Sequence, residues 1–216
     1  MRGRFITIEG GEGVGKSTQL AFLREWLPTL GHEVVFTREP GGTPRAERIR
    51  ELLLENSSEP MPSECELLLM FAARATHIAN VIRPAIERGA WVVCDRFIDA
   101  TYAYQGGGRS MDVDQIATLE QLVQKDLQPD LTLLLDAPLD LTATRAQQRN
   151  SATGVTDRFE REQRAFFERV RDAYLARAKA YPKRIVVIDA SRELQQVSMS
   201  IRSAIAQRLG AESADE

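Results

Sequence analysis

Residues 10–17 read Gly10-Gly11-Glu12-Gly13-Val14-Gly15-Lys16-Ser17, a complete G-x4-G-K-[ST] sequence. An apolar run at 5–8 precedes it and a helical pattern begins near Lys16. Glycines in such a loop let successive backbone N–H groups curl toward one point, and the following helix adds the positive end of its dipole. The ammonium of Lys16 then reaches the outer phosphates of a nucleotide, and the Ser17 hydroxyl can ligate Mg²⁺. Gly10, Gly11, Glu12, Gly13, Val14, Gly15, Lys16, Ser17 and Thr18 are therefore expected to cradle a nucleoside triphosphate. A glycine-rich turn that merely precedes a lysine is the bland alternative, and the strand before and helix after argue against it.

Short β-branched or leucine-rich runs recur at 33–36, 91–94, 131–135 and 184–188. Helical patterns are expected over 16–30, 44–55, 63–88, 113–125, 139–149, 158–180 and 193–208. This alternation predicts an α/β fold, a five-stranded parallel sheet with helices on both faces. Every run but the second ends at an acidic residue, namely Glu9, Asp95, Asp136 and Asp189. Ligands of open parallel sheets bind beyond the carboxyl ends of the strands, so these residues point at a site or its rim. Ser63 and Glu66, just after Pro62, read as a capping box. The polar stretch 147–156 lacks apolar periodicity, which suits a mobile lid over about 145–158; an ordinary surface loop is the alternative. The chain of 216 residues is long enough for one core. One domain over 1–210 is expected, with an acidic, frayed tail at 211–216.

A formal net charge of −3 argues against a nucleic-acid backbone as the main partner, because no global positive field would gather it. Cys65 and Cys94 are the only cysteines, without C-x-x-C spacing, and His32 and His77 are too few for a zinc site. A reducing, cytoplasmic setting follows as the expectation. The apolar start of the chain is cut by Glu9, too short for a signal sequence, and the longest later apolar run, 67–73, is far below a membrane span.

Phosphoryl transfer needs a nucleotide cradle, Mg²⁺ ligands and several cations. Asp95-Arg96 follows the third run, where Asp95 can hold Mg²⁺ through water and Arg96 can contact phosphates. A structural salt bridge is the competing reading. Thr37-Arg38-Glu39-Pro40-Gly41-Gly42-Thr43 offers close backbone approach and the fork of Arg38. Phe71 and Arg74, three apart on one helix, give a ring to stack on and a donor for an exocyclic oxygen; Phe71 as plain core stays open. Hydroxyl, aromatic and amide groups cluster at Asp99-Ala100-Thr101-Tyr102-Ala103-Tyr104-Gln105-Gly106. Arg145, Arg149 and Arg158 bracket the polar stretch, and each is also read simply as a solvated helix-face residue.

These segments, with Phe71-Ala72-Ala73-Arg74, Asp95-Arg96-Phe97 and Asp157-Arg158-Phe159-Glu160, occur in an order that closely resembles the thymidylate kinases of bacteria, over about residues 5–190. The resemblance implies a P-loop nucleotide kinase that moves the γ-phosphoryl group of ATP to thymidine monophosphate with Mg²⁺, commonly as a homodimer. It implies that Phe71 stacks on thymine and Arg74 donates to its O4. By the same resemblance Thr101 and Gln105 meet the base edge, and Tyr102 crowds the sugar. Glu12 then partners the 3′-hydroxyl, Arg38 and Arg96 clamp the monophosphate, and Glu9 helps to hold, through water, either the metal alongside Ser17 and Asp95 or a phosphate-binding arginine. Ile188-Asp189-Ala190-Ser191 is similar to the loop that embraces adenine.

Unlike members of that family that carry their catalytic arginine in this loop, the chain has none among Gly11, Glu12, Gly13 and Val14, so the resemblance implies that the lid supplies it beside Lys16 and Arg96, from a pair similar to Arg145-x3-Arg149. Arg149 is the first choice and Arg145 the second. Kinases of another nucleoside monophosphate or small acceptor share such a fold. A nucleotide-dependent switch is a different class, but the chain has no N-K-x-D sequence, and no D-x-x-G follows the loop.

Overall fold

The computed structural model describes residues 2–153, 158–159 and 162–210, with the side chains of 149–153 excepted. Five strands, β1 (Phe5–Glu9), β2 (Val34–Arg38), β3 (Trp91–Asp95), β4 (Leu131–Asp136) and β5 (Ile185–Asp189), form one sheet in the order β2-β3-β1-β4-β5. Every pairing is parallel. Four strands end on the acidic residues expected to mark the crevice, and β1 lies at the centre. It is buried from Phe5 to Glu9, as a strand covered on both faces must be, and its buried Thr7 is paired with Thr132 (2.8 Å).

Helices cover both faces. One core packs Ile6, Ile8, Leu133 and Leu135 against Leu23 and Trp26 of α1 (Lys16–Trp26) and Val197, Ile201 and Ile205 of α9 (Leu194–Leu209). The opposite core joins Phe5, Val92 and Phe97 to Leu67 and Phe71 of α3 (Ser63–His77) and Ile116 of α6 (Val113–Gln124). A third cluster links Ala103 and Tyr104 to Phe166, Val170 and Tyr174 of α8 (Arg164–Ala180). The remaining helices are α2 (Pro44–Leu54), α4 (Arg83–Glu87), α5 (Ile98–Thr101) and α7 (Leu139–Thr153).

Several expectations need correction. The segment after Asp95, outside the expected helical patterns, is α5 followed by a π-helical stretch, Tyr102–Gly108. The wider π turn redirects side chains, as such turns commonly do at functional sites. A second π turn, Ile78–Ile82, joins α3 to α4. Pro62 precedes α3 without a side-chain cap. Glu66 is fully buried and accepts from Gln105 and two arginines, stronger donors than the backbone N–H a capping box would offer it. The polar stretch continues α7 to Thr153, and α8 starts at Arg164 rather than 158. Together α3, its π turn and α4 make one helix of 25 residues, long and apolar enough to cross a bilayer. Its Leu67, Phe71, Ile78, Ile82 and Ile86 instead pack in the core.

Candidate functional site

The loop between β1 and α1 owes its shape to glycine. A Cβ on Gly13 (φ 72°) would stand 2.1 Å from the Thr142 carbonyl oxygen, and one on Gly10 (φ 133°) 2.3 Å from that of Leu135. The loop is thus pressed against β4 and α7 with no room for a side chain. Lys16 folds back over it, donating from Nζ to the carbonyls of Gly10 (3.1 Å) and Gly11 (3.0 Å). Burial, and then the positive charge of Arg96, lower the Lys16 pKa. An arriving polyanion would relieve both effects. Beside the loop lies a cavity of about 330 Å³, lined by residues of the loop and α1 including Ser17 and Thr18, and by Arg145, Ala190 and Arg192. Arg145 is held there by a hydrogen bond from Nη1 to the Ala190 carbonyl (3.0 Å). Arg149, the first-choice lid arginine, has its side chain outside the described residues.

Arg96 lines a second cleft, which shares Glu12 with this cavity. Its backbone is left-handed (φ 67°), a conformation rare outside glycine and asparagine. The Arg96 N–H to Ile8 carbonyl bond (3.0 Å) braces that turn. Its guanidinium donates to Gly10 O (3.0 Å), Tyr174 Oη (3.2 Å), Tyr104 Oη (3.0 Å) and Glu12 Oε1 (2.6 Å). Asp95, one residue earlier, has a buried Oδ1 with no partner.

The second cleft is lined by Glu12, Pro40, Arg50, Met70, Arg74, Arg96, Phe97, Thr101, Tyr104, Gln105 and Phe159, among others. Arg74 is fixed from behind: Nε donates to Glu39 Oε2 (2.7 Å) and Nη2 to Thr101 Oγ1 (2.9 Å). Glu39 Oε1 meets His77 Nδ1 (2.9 Å), whose Nε2 meets the Thr37 hydroxyl (2.6 Å). Arg74 Nη1 is buried without a partner. A buried donor in that state is unfavourable by about 1–3 kcal/mol, more for a charged group. Gln105 donates from Nε2 to Glu66 Oε1 (2.8 Å).

Several expected site residues lie elsewhere. Phe71 is 2% exposed, its ring 4.9 Å from the Arg74 guanidinium carbon and turned into the core. Met70 takes its place on the cleft wall because Glu66, Met70, Arg74 and His77, spaced by four, four and three, share one face of α3. Tyr102 also misses the cleft: its hydroxyl donates to Glu120 (2.8 Å) and its ring lies under Arg177 (3.9 Å). Tyr104, not assigned a role from sequence, lines the cleft instead. Arg38 leaves the end of β2 half exposed and pairs with Glu47 (2.8 Å). Glu9 is fully enclosed, its two oxygens accepting from the Phe97 N–H (2.7 Å) and the Tyr174 hydroxyl (2.8 Å). It stands behind Arg96, beside the Tyr174 hydroxyl that both residues contact. The spacing of Glu66, Met70 and Arg74 was the available signal for the cleft face, whereas Tyr174 gave none, being 78 residues from Arg96 in sequence.

The sequence profile of the thymidylate kinase family matches residues 8–201. Among curated proteins, the thymidylate kinase of Chromohalobacter salexigens is 62% identical over 96% of this chain and 97% of its own. That of Pseudomonas fluorescens Pf-5 is 56% identical over 97% and 98%. The crystal structure of thymidylate kinase from Ehrlichia chaffeensis superposes with a TM-score of 0.76 at 33% identity, covering 95% of this chain and 100% of that one.

Burial, and then the charge of Asp99, raise the Glu9 carboxyl pKa from 4.5 to about 7. The folded protein therefore binds an extra proton between these values, and this group's contribution to stability falls as pH rises from 4.5 through 7. Glu9→Gln should remove that trend. Denaturant unfolding at pH 5 and pH 8 should show wild type losing on the order of 2–3 kcal/mol more than the variant. Equal losses in both proteins would refute the assignment.

Proposed function

The chain belongs to the thymidylate kinase family and transfers the γ-phosphoryl group of ATP to thymidine monophosphate; from that premise we propose how its residues divide the work. The Arg74 cleft takes the acceptor and the cavity of the phosphate-binding loop takes ATP. The observation that carries this reading is Arg74, which lines the cleft with Thr101 and Gln105 and carries a buried donor, Nη1, without a partner. The 4-oxo oxygen of thymine would satisfy it. Met70 and Phe97, rather than Phe71, flank the base. Tyr104 and Glu12 face the sugar, Glu12 as partner of its 3′-hydroxyl, and Arg96 meets the monophosphate.

Mg²⁺ suits the hard oxygen donors at hand, the orphan Oδ1 of Asp95 and the exposed Ser17 hydroxyl. Among the described residues no group of three His, Cys, Asp or Glu gathers as a metal cage, so two protein oxygens with phosphate and water would hold the ion. When bound, it neutralises phosphate charge. The rest falls to the chain. Lys16 and Arg145 hold the ATP phosphates, Arg96 orients the acceptor, and Arg149 of the lid reaches the transferred group. A phosphate monoester is already anionic near neutral pH, so its oxygen attacks the γ-phosphorus in line without a strong general base or covalent enzyme intermediate. The free thiols of Cys65 and Cys94 fit a reducing cytoplasm.

The acceptor reading is tested with ATP, Mg²⁺ and a panel of thymidine, deoxyuridine, deoxycytidine, adenosine and guanosine monophosphates, following ADP release. Thymidine monophosphate should lead, and Arg74→Met should lower its kcat/KM roughly 10- to 100-fold, the worth of a hydrogen bond to a charged group. Preference for another acceptor would sink the reading.

For the lid, Arg149→Ala should lower kcat at least 100-fold with little change in KM, while Arg145→Ala should mainly raise KM for ATP. A tenfold kcat loss with Arg145→Ala and none with Arg149→Ala reverses the two roles.

For the assembly, a homodimer through the neighbouring α3 and α6 is supported by Leu68, Val113 and Leu122, left 58%, 53% and 70% exposed. Sedimentation at micromolar concentration should give twice the chain mass, and Leu68→Glu with Leu122→Glu should shift it toward monomer. A wild-type monomer would remove this reading.

A further inference from the structure

Glu66 sits at the base of the acceptor cleft on the same face of α3 as Met70 and Arg74, and it is fully buried. Four side-chain donor groups converge on its carboxylate. Oε1 accepts from Gln105 Nε2 (2.8 Å) and Arg109 Nε (3.4 Å). Oε2 accepts from Arg109 Nη2 (3.3 Å) and Arg158 Nη2 (2.5 Å). Two guanidiniums offset the unfavourable burial of the carboxylate, so the ion is held in one orientation.

The chemistry of the Gln105 contact is one-sided. An ionised carboxylate accepts and never donates, so only the NH₂ end of the Gln105 amide can face Glu66. The carbonyl oxygen of that amide, on a side chain that lines the cleft, is then the atom left for a ligand. Arg74, which lines the same cleft, carries the unpartnered donor Nη1. Together they present one donor and one acceptor. The 4-oxo, N3–H edge of thymine and uracil complements that pair. The 4-amino, unprotonated N3 edge of cytosine opposes it at both atoms.

We infer that Glu66 is a specificity-determining positioning residue: it holds the Gln105 amide with its oxygen toward the acceptor base and thereby selects a pyrimidine carrying N3–H. The inference rests on the acceptor reading of this cleft. A site whose buried polar groups are left unpaired by the wrong ligand discriminates far more strongly than an apolar pocket. That is why the orientation of one amide matters.

The isosteric variant Glu66→Gln tests it directly. Arg109 and Arg158 need an acceptor and will hold the oxygen of the introduced amide at the former Oε2 position, which turns its NH₂ toward Gln105. Gln105 then inverts and aims its own NH₂ into the cleft. The kcat/KM ratio of thymidine to deoxycytidine monophosphate should fall at least tenfold, through loss on the first and gain on the second. Lost packing alone would lower both constants together, so an unchanged ratio in folded Glu66→Gln protein overturns the inference while leaving the acceptor reading intact. A wild-type enzyme with no preference between the two acceptors overturns that reading and the inference with it.

Should the variant not fold, side-chain amide exchange in ¹⁵N-labelled wild type decides. The Gln105 signal, assigned by its disappearance in Gln105→Glu, should be at least tenfold protected before any nucleotide is added and should change little with thymidine monophosphate. Protection that appears only with the nucleotide overturns the inference.

Discussion

The Arg96 guanidinium donates to the phosphate-binding loop at Gly10 and Glu12, to the π-helical stretch at Tyr104 and to α8 at Tyr174. Those segments lie far apart in sequence, and this one side chain fixes their relative positions. It reaches them because the backbone at residue 96 is left-handed, an arrangement that survives only where the surroundings over-determine it. Here they do: the Arg96 N–H is tied to Ile8, and Glu9 clamps both the next N–H and the Tyr174 hydroxyl. Closing the phosphate loop, shaping the Arg74 cleft and seating α8 are therefore one packing problem.

Around that centre three buried carboxylates are matched to donors. Glu39 serves Arg74 and His77, Glu66 serves Gln105, Arg109 and Arg158, and Asp99 takes Arg177 and Arg184. Burial alone would raise the Asp99 pKa, but the two arginines hold it below its ordinary value. With so much of the buried polar surface satisfied, the exceptions stand out. Arg74 Nη1 and Asp95 Oδ1 are among the few buried side-chain atoms without a partner in the described residues, and both lie where ligands are expected. Neither belongs to a lone surface charge, and each is framed by rigid elements that keep it aimed.

The register of the pattern was legible where period and chemistry agreed. The loop at 10–17, the five runs and their terminal carboxylates were readable because strand length, glycine spacing and the step from strand to helix are local properties. Errors began where two faces of one helix had to be told apart. Phe71 and Arg74 are three apart and do touch, yet Met70, four from Arg74, faces the cleft. Tyr102 and Tyr104 were separable only once the widened π turn was seen, since it rotates side chains away from their α-helical positions. Ser63 and Glu66 fit a capping box, but a cap is a weak local preference and the donors of Gln105, Arg109 and Arg158 outbid it.

By itself the sequence determined the parallel α/β architecture, the phosphate-binding loop and the order of motifs that identifies the family, because each depends on neighbours within a few residues. Only the tertiary structure decided which side chains meet: that Tyr174 supports Arg96 across 78 residues, that Arg145 lines the loop cavity, that Glu9 accepts from Tyr174, and that Glu66 accepts from Gln105. Those outcomes follow from desolvation. A buried polar group must find a partner wherever the chain brings one, and no local spacing encodes where that will be.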